Sequence, residues 1–143
     1  MKFIQKEFYL KERARGFHII TEEILSNIQE ISEINTGIAN IFIKHTSASL
    51  SINENADPDV RIDMETHFNE MVPEDKNYYL HTAAGPDDMT SHIKTSILGS
   101  SLSIPVTDGR LNLGTWQGIY LCEHRDQGGR RKIVVTVFGD GKS

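Results

Sequence analysis

Between His45 and Asp63 the chain reads HTSASLSINENADPDVRID, an imidazole followed by hydroxyls, amides and carboxylates, directly after an apolar run. Loops at strand ends are where a rigid scaffold displays reactive groups, so this composition points to a site rather than to packing. Ser47, Ser49 and Ser51 follow His45, but there is no Gly-x-Ser-x-Gly elbow. Their alternation suits local hydrogen bonding as well as hydrolysis. Two further polar clusters are PDDMTSHIK from Pro86 and GTWQGIYLCEHRD from Gly114.

Asp63 with His67, and Asp88 with His92, stand four residues apart inside helical patterns. That spacing puts a carboxylate and an imidazole on one face, where the carboxylate fixes which ring nitrogen stays free, as a general base or a metal ligand requires. A plain intrahelical pair satisfies the same spacing. With His45, His81 and His124, five of the six histidines fall in or beside polar loops. Imidazoles from His45, His81 and His92, with acids such as Asp63 and Glu123, can hold a divalent cation, although the spacing matches no His-Glu-x-x-His signature.

Arg125, Arg130, Arg131 and Lys132 flank a Gly-Gly turn. Such a patch either grips phosphate through forked hydrogen bonds or forms a solvated hairpin tip. Trp116 and Gln117, after Gly114, offer a flat ring and an amide at a strand start, suited to a pocket wall or an interface. Walker and Gly-x-Gly-x-x-Gly loops are both missing, so the usual nucleotide cradles are not expected.

The elements that must position these groups are readable from periodicity. Lys2 to Leu10 and Arg15 to Ile20 read as strands. Thr21 reads as the N-cap of a helix with Ile24, Ile28 and Ile31 as its stripe and Asn35-Thr36-Gly37 as its stop. Ile38 to Lys44 and Ser49 to Asn53 read as strands. A second helix starts at Asp57-Pro58, with Val60, Met64, Phe68 and Met71 as its apolar face, and Pro73 ends it. A third runs from about Asp87 to Leu98 with Met89, Ile93 and Ile97 as its stripe. Strands follow at Leu102–Val106, Leu111–Leu113, Ile119–His124 and Ile133–Phe138. Strands at both ends with helices between favour an α+β fold, with antiparallel sheets in a sandwich-like arrangement and about three helices.

At 143 residues we expect a single domain, residues 1–143. A net charge of −5 with acids spread along the chain argues against nucleic acid as a partner. No apolar run approaches the ~20 residues that span a bilayer, which argues against a membrane role. The N-terminus alternates apolar and charged residues, unlike a signal peptide, so cytoplasmic residence is expected. Cys122 is the one cysteine, and we read it as a small buried apolar residue.

Six blocks, RGFH from Arg15, HTSASLSINENADPDVRIDME from His45, DDMTSHIK from Asp87, LGSSLSIPV from Leu98, GTWQGIYLCEHR from Gly114 and GGRRKIVVT from Gly128, resemble the YjbQ-like family, whose members are labelled secondary thiamine-phosphate synthase enzymes. The resemblance implies a homotrimer with a polar pocket near the subunit boundary, built from His45, Asn53, Asp63, His81, His92, Glu123 and Arg131. It also implies a weak activity that joins a pyrimidine diphosphate to a thiazole phosphate and releases pyrophosphate. For that chemistry His45, Asp63, His92 and Glu123 stand as catalytic groups. Ser47, Asn53, Asp88, Trp116, Gln117, Arg125 and Arg131 stand as substrate contacts, and His45, His81 and His92 as ligands of a divalent metal, Mg²⁺ or Zn²⁺. The expected substrate is a small phosphorylated or polar metabolite; the other reading is a non-catalytic module that binds a metabolite or ion.

Overall fold

A computed structural model describes residues 1–142. Eight strands form two antiparallel sheets. The larger holds β1 (Lys2–Tyr9), β8 (Lys132–Gly141), β3 (Ile34–Ile43), β5 (Ser101–Thr107) and β6 (Arg110–Leu111), side by side in that order. The smaller holds β2 (Gly16–Ile19), β7 (Gln117–Glu123) and β4 (Ala48–Glu54). Three helices, α1 (Thr21–Asn27), α2 (Pro58–Met71) and α3 (Pro86–Leu98), complete the α+β architecture.

The sheets pack through Ile41, Ile104, Val135 and Val137 of the larger and Leu50, Ile119 and Leu121 of the smaller, all buried in one cluster. Each such side chain contributes roughly 1.5–3 kcal/mol by leaving water. On the other side of the small sheet, Phe17 of β2 and Tyr120 and Cys122 of β7 pack against Phe68 of α2. Strand β7 is thus covered on both faces, which is why its sequence runs apolar without alternation. The outer face of the large sheet carries Phe3, Phe42 and Phe138, and Phe3 and Phe42 stand exposed there.

Local signals held where the backbone needed them. Asp57 caps α2, its carboxylate accepting the Asp59 N–H at 2.9 Å, with Pro58 in the first turn. Thr21 does not cap α1: Ile20 occupies that place, and the Thr21 hydroxyl accepts the Ile119 N–H at 2.9 Å across to β7. Nor does the helix reach Asn35. It ends at Asn27, a 3-10 turn covers Gln29–Glu33, and β3 begins at Ile34, because Thr36 and Gly37 are claimed by ladders to β5 and β8. A Cβ on Gly37 would strike the Phe138 carbonyl, so glycine here permits close strand approach. Met71 is 48 % exposed and lies off the buried side of α2, which only Phe68 fully enters.

The largest departure is α3. Of its expected stripe Met89 and Ile93 are only half-buried and Ile97 is 53 % exposed, while Asp87, Asp88, Thr90, Ser91 and Lys94 are buried. A polar face goes inward at low cost where its groups find partners, and all but the Thr90 hydroxyl, which is buried without one, do so here. Ser91 Oγ donates to the Asp87 and His124 carbonyls, Lys94 Nζ donates to Asn69 Oδ1 at 2.7 Å, and Asp87 and Asp88 are met by Arg125.

Candidate functional site

The buried acids of α3 organise the site. Asp87 carries Arg125 Nε at 3.3 Å and the Asp126 N–H at 2.9 Å on one oxygen. Arg125 Nη1 donates to Asp88 Oδ1 at 2.8 Å and Nη2 to the Ala84 carbonyl at 2.8 Å. Asp88 Oδ2 is left facing two imidazoles, His81 Nε2 at 2.7 Å and His92 Nε2 at 3.2 Å. Burial opposes ionisation of Asp88, but the His81 hydrogen bond and the neighbouring His92 and Arg125 outweigh it and hold its carboxyl below the usual range.

The tautomer of His92 is fixed by the backbone. Its Nδ1 lies 2.8 Å from the Thr46 carbonyl, which can only accept, so the proton sits on Nδ1 and a lone pair sits on Nε2. In a neutral ring that lone pair faces a carboxylate oxygen, two acceptors with nothing between them. A cation, either a proton or a metal ion, resolves the contact. Ligand atoms from His81, Asp88 and His92 all lie within 4.8 Å of one another. Two imidazoles and one carboxylate could hold a divalent cation, and these donor types suit zinc better than Mg²⁺, which prefers oxygen.

Beside this cluster a groove of about 770 Å³ runs between the end of β3 and α3, lined by Lys44, His45, Thr46, His92, Ser96 and Ser100 among others. His45 lies two residues past the end of β3, and its Nε2 accepts the Lys132 N–H at 2.8 Å, so its proton resides on Nδ1. Burial and then the Arg131 charge push its pKa below the ordinary histidine value. That same hydrogen bond removes Nε2 from metal ligation.

The remaining expected site residues divide sharply. Glu123 is fully buried with both oxygens engaged: Arg131 donates from Nε at 2.7 Å and from Nη2 at 2.5 Å, and the Arg125 N–H at 3.1 Å. It is a structural anchor, and it also ties down Arg131, which reaches only the Ser47 carbonyl besides, at 3.2 Å. Ser47 contributes that carbonyl from a buried position. Asp63 is exposed on α2 and has no ion pair or hydrogen bond to His67; the His67 ring packs on Phe68 instead. Asn53 is exposed, its side chain accepting the Glu54 N–H. Trp116, 65 % exposed, and Gln117 sit at the opposite end of β7 from Glu123, and Gln117 Oε1 accepts the Gly114 N–H.

Some participants carry no sequence signal, since the Thr46 carbonyl and the Lys132 N–H are backbone groups. His124, grouped at first with the loop histidines, is buried edge-on to Phe17, its Nε2 2.8 Å from Ser49 Oγ. Burial, then Lys94, lowers its pKa to about 3, so it is neutral. Burial likewise raises the Cys122 thiol to about 12, which makes it inert.

Two facing antiparallel sheets, with helices over the smaller one and a histidine-carboxylate cluster at the strand ends, define the class. The sequence model of the family described as "UPF0047 protein YjbQ-like" matches residues 6–140, and the chain belongs to that family. UPF0047 protein YjbQ of Salmonella typhimurium is 53 % identical over 136 residues, covering 95 % of this chain and 98 % of the relative. UPF0047 protein YugU of Bacillus subtilis is 44 % identical over 120 residues, 84 % and 87 % of the two chains. Among solved structures, an uncharacterized conserved protein of the YjbQ/UPF0047 family from Clostridium acetobutylicum superposes with a TM-score of 0.78 at 35 % identity, covering 94 % of this chain and 99 % of that one. A YbjQ-like protein of unknown function from Sulfolobus solfataricus gives 0.85 at 25 % identity, covering 97 % and 99 %. None of these names assigns a reaction, and no helix among the described residues is long and apolar enough to cross a membrane.

Proposed function

We propose that this protein is a divalent-cation-dependent enzyme for a small polar or phosphorylated metabolite, with His81, Asp88 and His92 as the cation's ligands. The observation that carries the reading is the backbone-fixed lone pair of His92 Nε2 turned toward Asp88 Oδ2 at 3.2 Å. A zinc-type ion held there supplies Lewis acidity, polarising a substrate oxygen and acidifying water. Within the chain, Asp88 and the two rings position the ion, Arg125 positions Asp88, and the groove beside His92 admits the substrate.

Coupling of a pyrimidine diphosphate to a thiazole phosphate fits this reading only as a slow, opportunistic reaction. Arg125 and Arg131, the cations that would stabilise departing pyrophosphate, are both bound to protein carboxylates, and two imidazole ligands suit zinc better than Mg²⁺. The assembly proposed with it is a homotrimer. Support comes from the uncovered phenylalanines of the large sheet, one of which, Phe42, also borders the groove.

The test is elemental analysis of protein purified without an affinity tag, with calorimetric titration of zinc and magnesium into wild type, His81→Ala, Asp88→Asn and His92→Ala. Zinc binding near one ion per chain, lost in each variant and stronger than magnesium binding, is expected. Wild-type protein that neither retains nor binds a divalent ion would end the proposal.

A further inference from the structure

His45 and His92 border one groove and share the Nδ1–H tautomer, but the backbone engages opposite nitrogens of the two rings. The Thr46 carbonyl accepts a hydrogen bond from Nδ1–H of His92 and so turns the Nε2 lone pair toward Asp88, whereas the Lys132 N–H occupies Nε2 of His45 and leaves Nδ1–H with no partner among the described residues. The groove is lined by the apolar Phe42 and Ile43, by Thr46, Thr95, Ser96 and Ser100, of which Ser96 donates its hydroxyl to the His92 carbonyl, and by one ammonium, Lys44; no carboxylate lines it. Lys44 itself reaches Glu7 only at 3.3 Å on an exposed face.

From this we infer that His45 is a substrate-contacting residue, a fixed hydrogen-bond donor through Nδ1 to a phosphoryl oxygen of a small molecule whose phosphate lies between the groove hydroxyls and the cation on His92. The Nδ1–H of His45 and the Lys44 ammonium, in a groove without acids, suit an anionic oxygen, and an imidazole locked as donor stabilises negative charge without transferring its proton. The inference rests on the cation reading above.

Two measurements test it separately from that reading. Long-range proton–nitrogen NMR on the metal-free protein at pH 7 reads the ring directly: His45 is protonated on Nδ1, and a ring protonated on Nε2 overturns the assignment. Zinc-loaded protein is then titrated with inorganic phosphate and with acetate, in wild type, His45→Ala, His45→Gln and His45→Asn. Asn places an N–H near Nδ1, whereas Gln reaches only the Nε2 position that meets the Lys132 amide. Phosphate binding weakens about tenfold in the Ala and Gln variants and is largely retained in Asn, as loss of one hydrogen bond to an anion requires. Zinc affinity stays the same in all four proteins. Rescue by Gln instead of Asn, equal phosphate affinity in wild type and His45→Ala, or tighter acetate than phosphate binding each overturns the inference. Failure of wild type to take up zinc overturns the cation reading, and this inference with it.

Discussion

Arg125 holds Oδ1 of Asp88 at 2.8 Å and thereby leaves the second oxygen, Oδ2, to the two histidines. Outer groups of this kind orient a ligand and set its basicity. Replacing Arg125 with Met frees Asp88 to rotate, and zinc affinity should fall about 10–100-fold. Calorimetry checks the affinity, and circular dichroism confirms that the fold persists; an unchanged dissociation constant would remove Arg125 from the site.

Glu123 and Arg131 are buried together, so removing one strands the other. Arg131→Met should cost about 3–5 kcal/mol by leaving an unpaired carboxylate in the core, read from urea unfolding. The double change Glu123→Leu with Arg131→Met should recover a good part of that loss, since no buried charge then remains. Gly128→Ala should also destabilise, because its Cβ would land on the Glu123 carboxylate.

Acid should weaken the fold through His124. Its pKa is about 3 when folded, against an ordinary 6.5, so between these values the unfolded chain takes up a proton that the folded chain refuses. Stability is therefore full above pH 6.5 and declines as pH falls, by about 2 kcal/mol at pH 5. Asp87 and Asp88, held below 3.8, contribute only in more acidic solution. Urea titrations at pH 7.5, 6 and 5 measure the slope, and His124→Gln should flatten it.

Asp63→Ala and Trp116→Ala should leave zinc affinity unchanged and stability within about 0.5 kcal/mol, as for surface positions without partners. A large loss in either would mean that a second copy brings these residues to the site.

The strands and the capped start of α2 were legible because period and punctuation are local properties. The Asp88–His92 pairing was legible for the same reason. Its twin, Asp63 with His67, has identical spacing on a face that no other element covers, so spacing alone could not separate them. The inward polar face of α3 was hidden because the partners that make it tolerable, Asn69, His124 and Arg125, lie 25 to 38 residues away in sequence from the groups they meet. Backbone groups that set the tautomers of His45 and His92 leave no trace in residue identity at all.

The segment from His81 to His92 contains every proposed ligand, yet what aims them comes from Thr46 and Arg125. An unfolded chain would therefore offer the same three side chains without their alignment, so the ion should act as a clamp on the finished fold. Loading should raise the melting temperature in proportion to how much better the native arrangement coordinates than the loose twelve-residue stretch does.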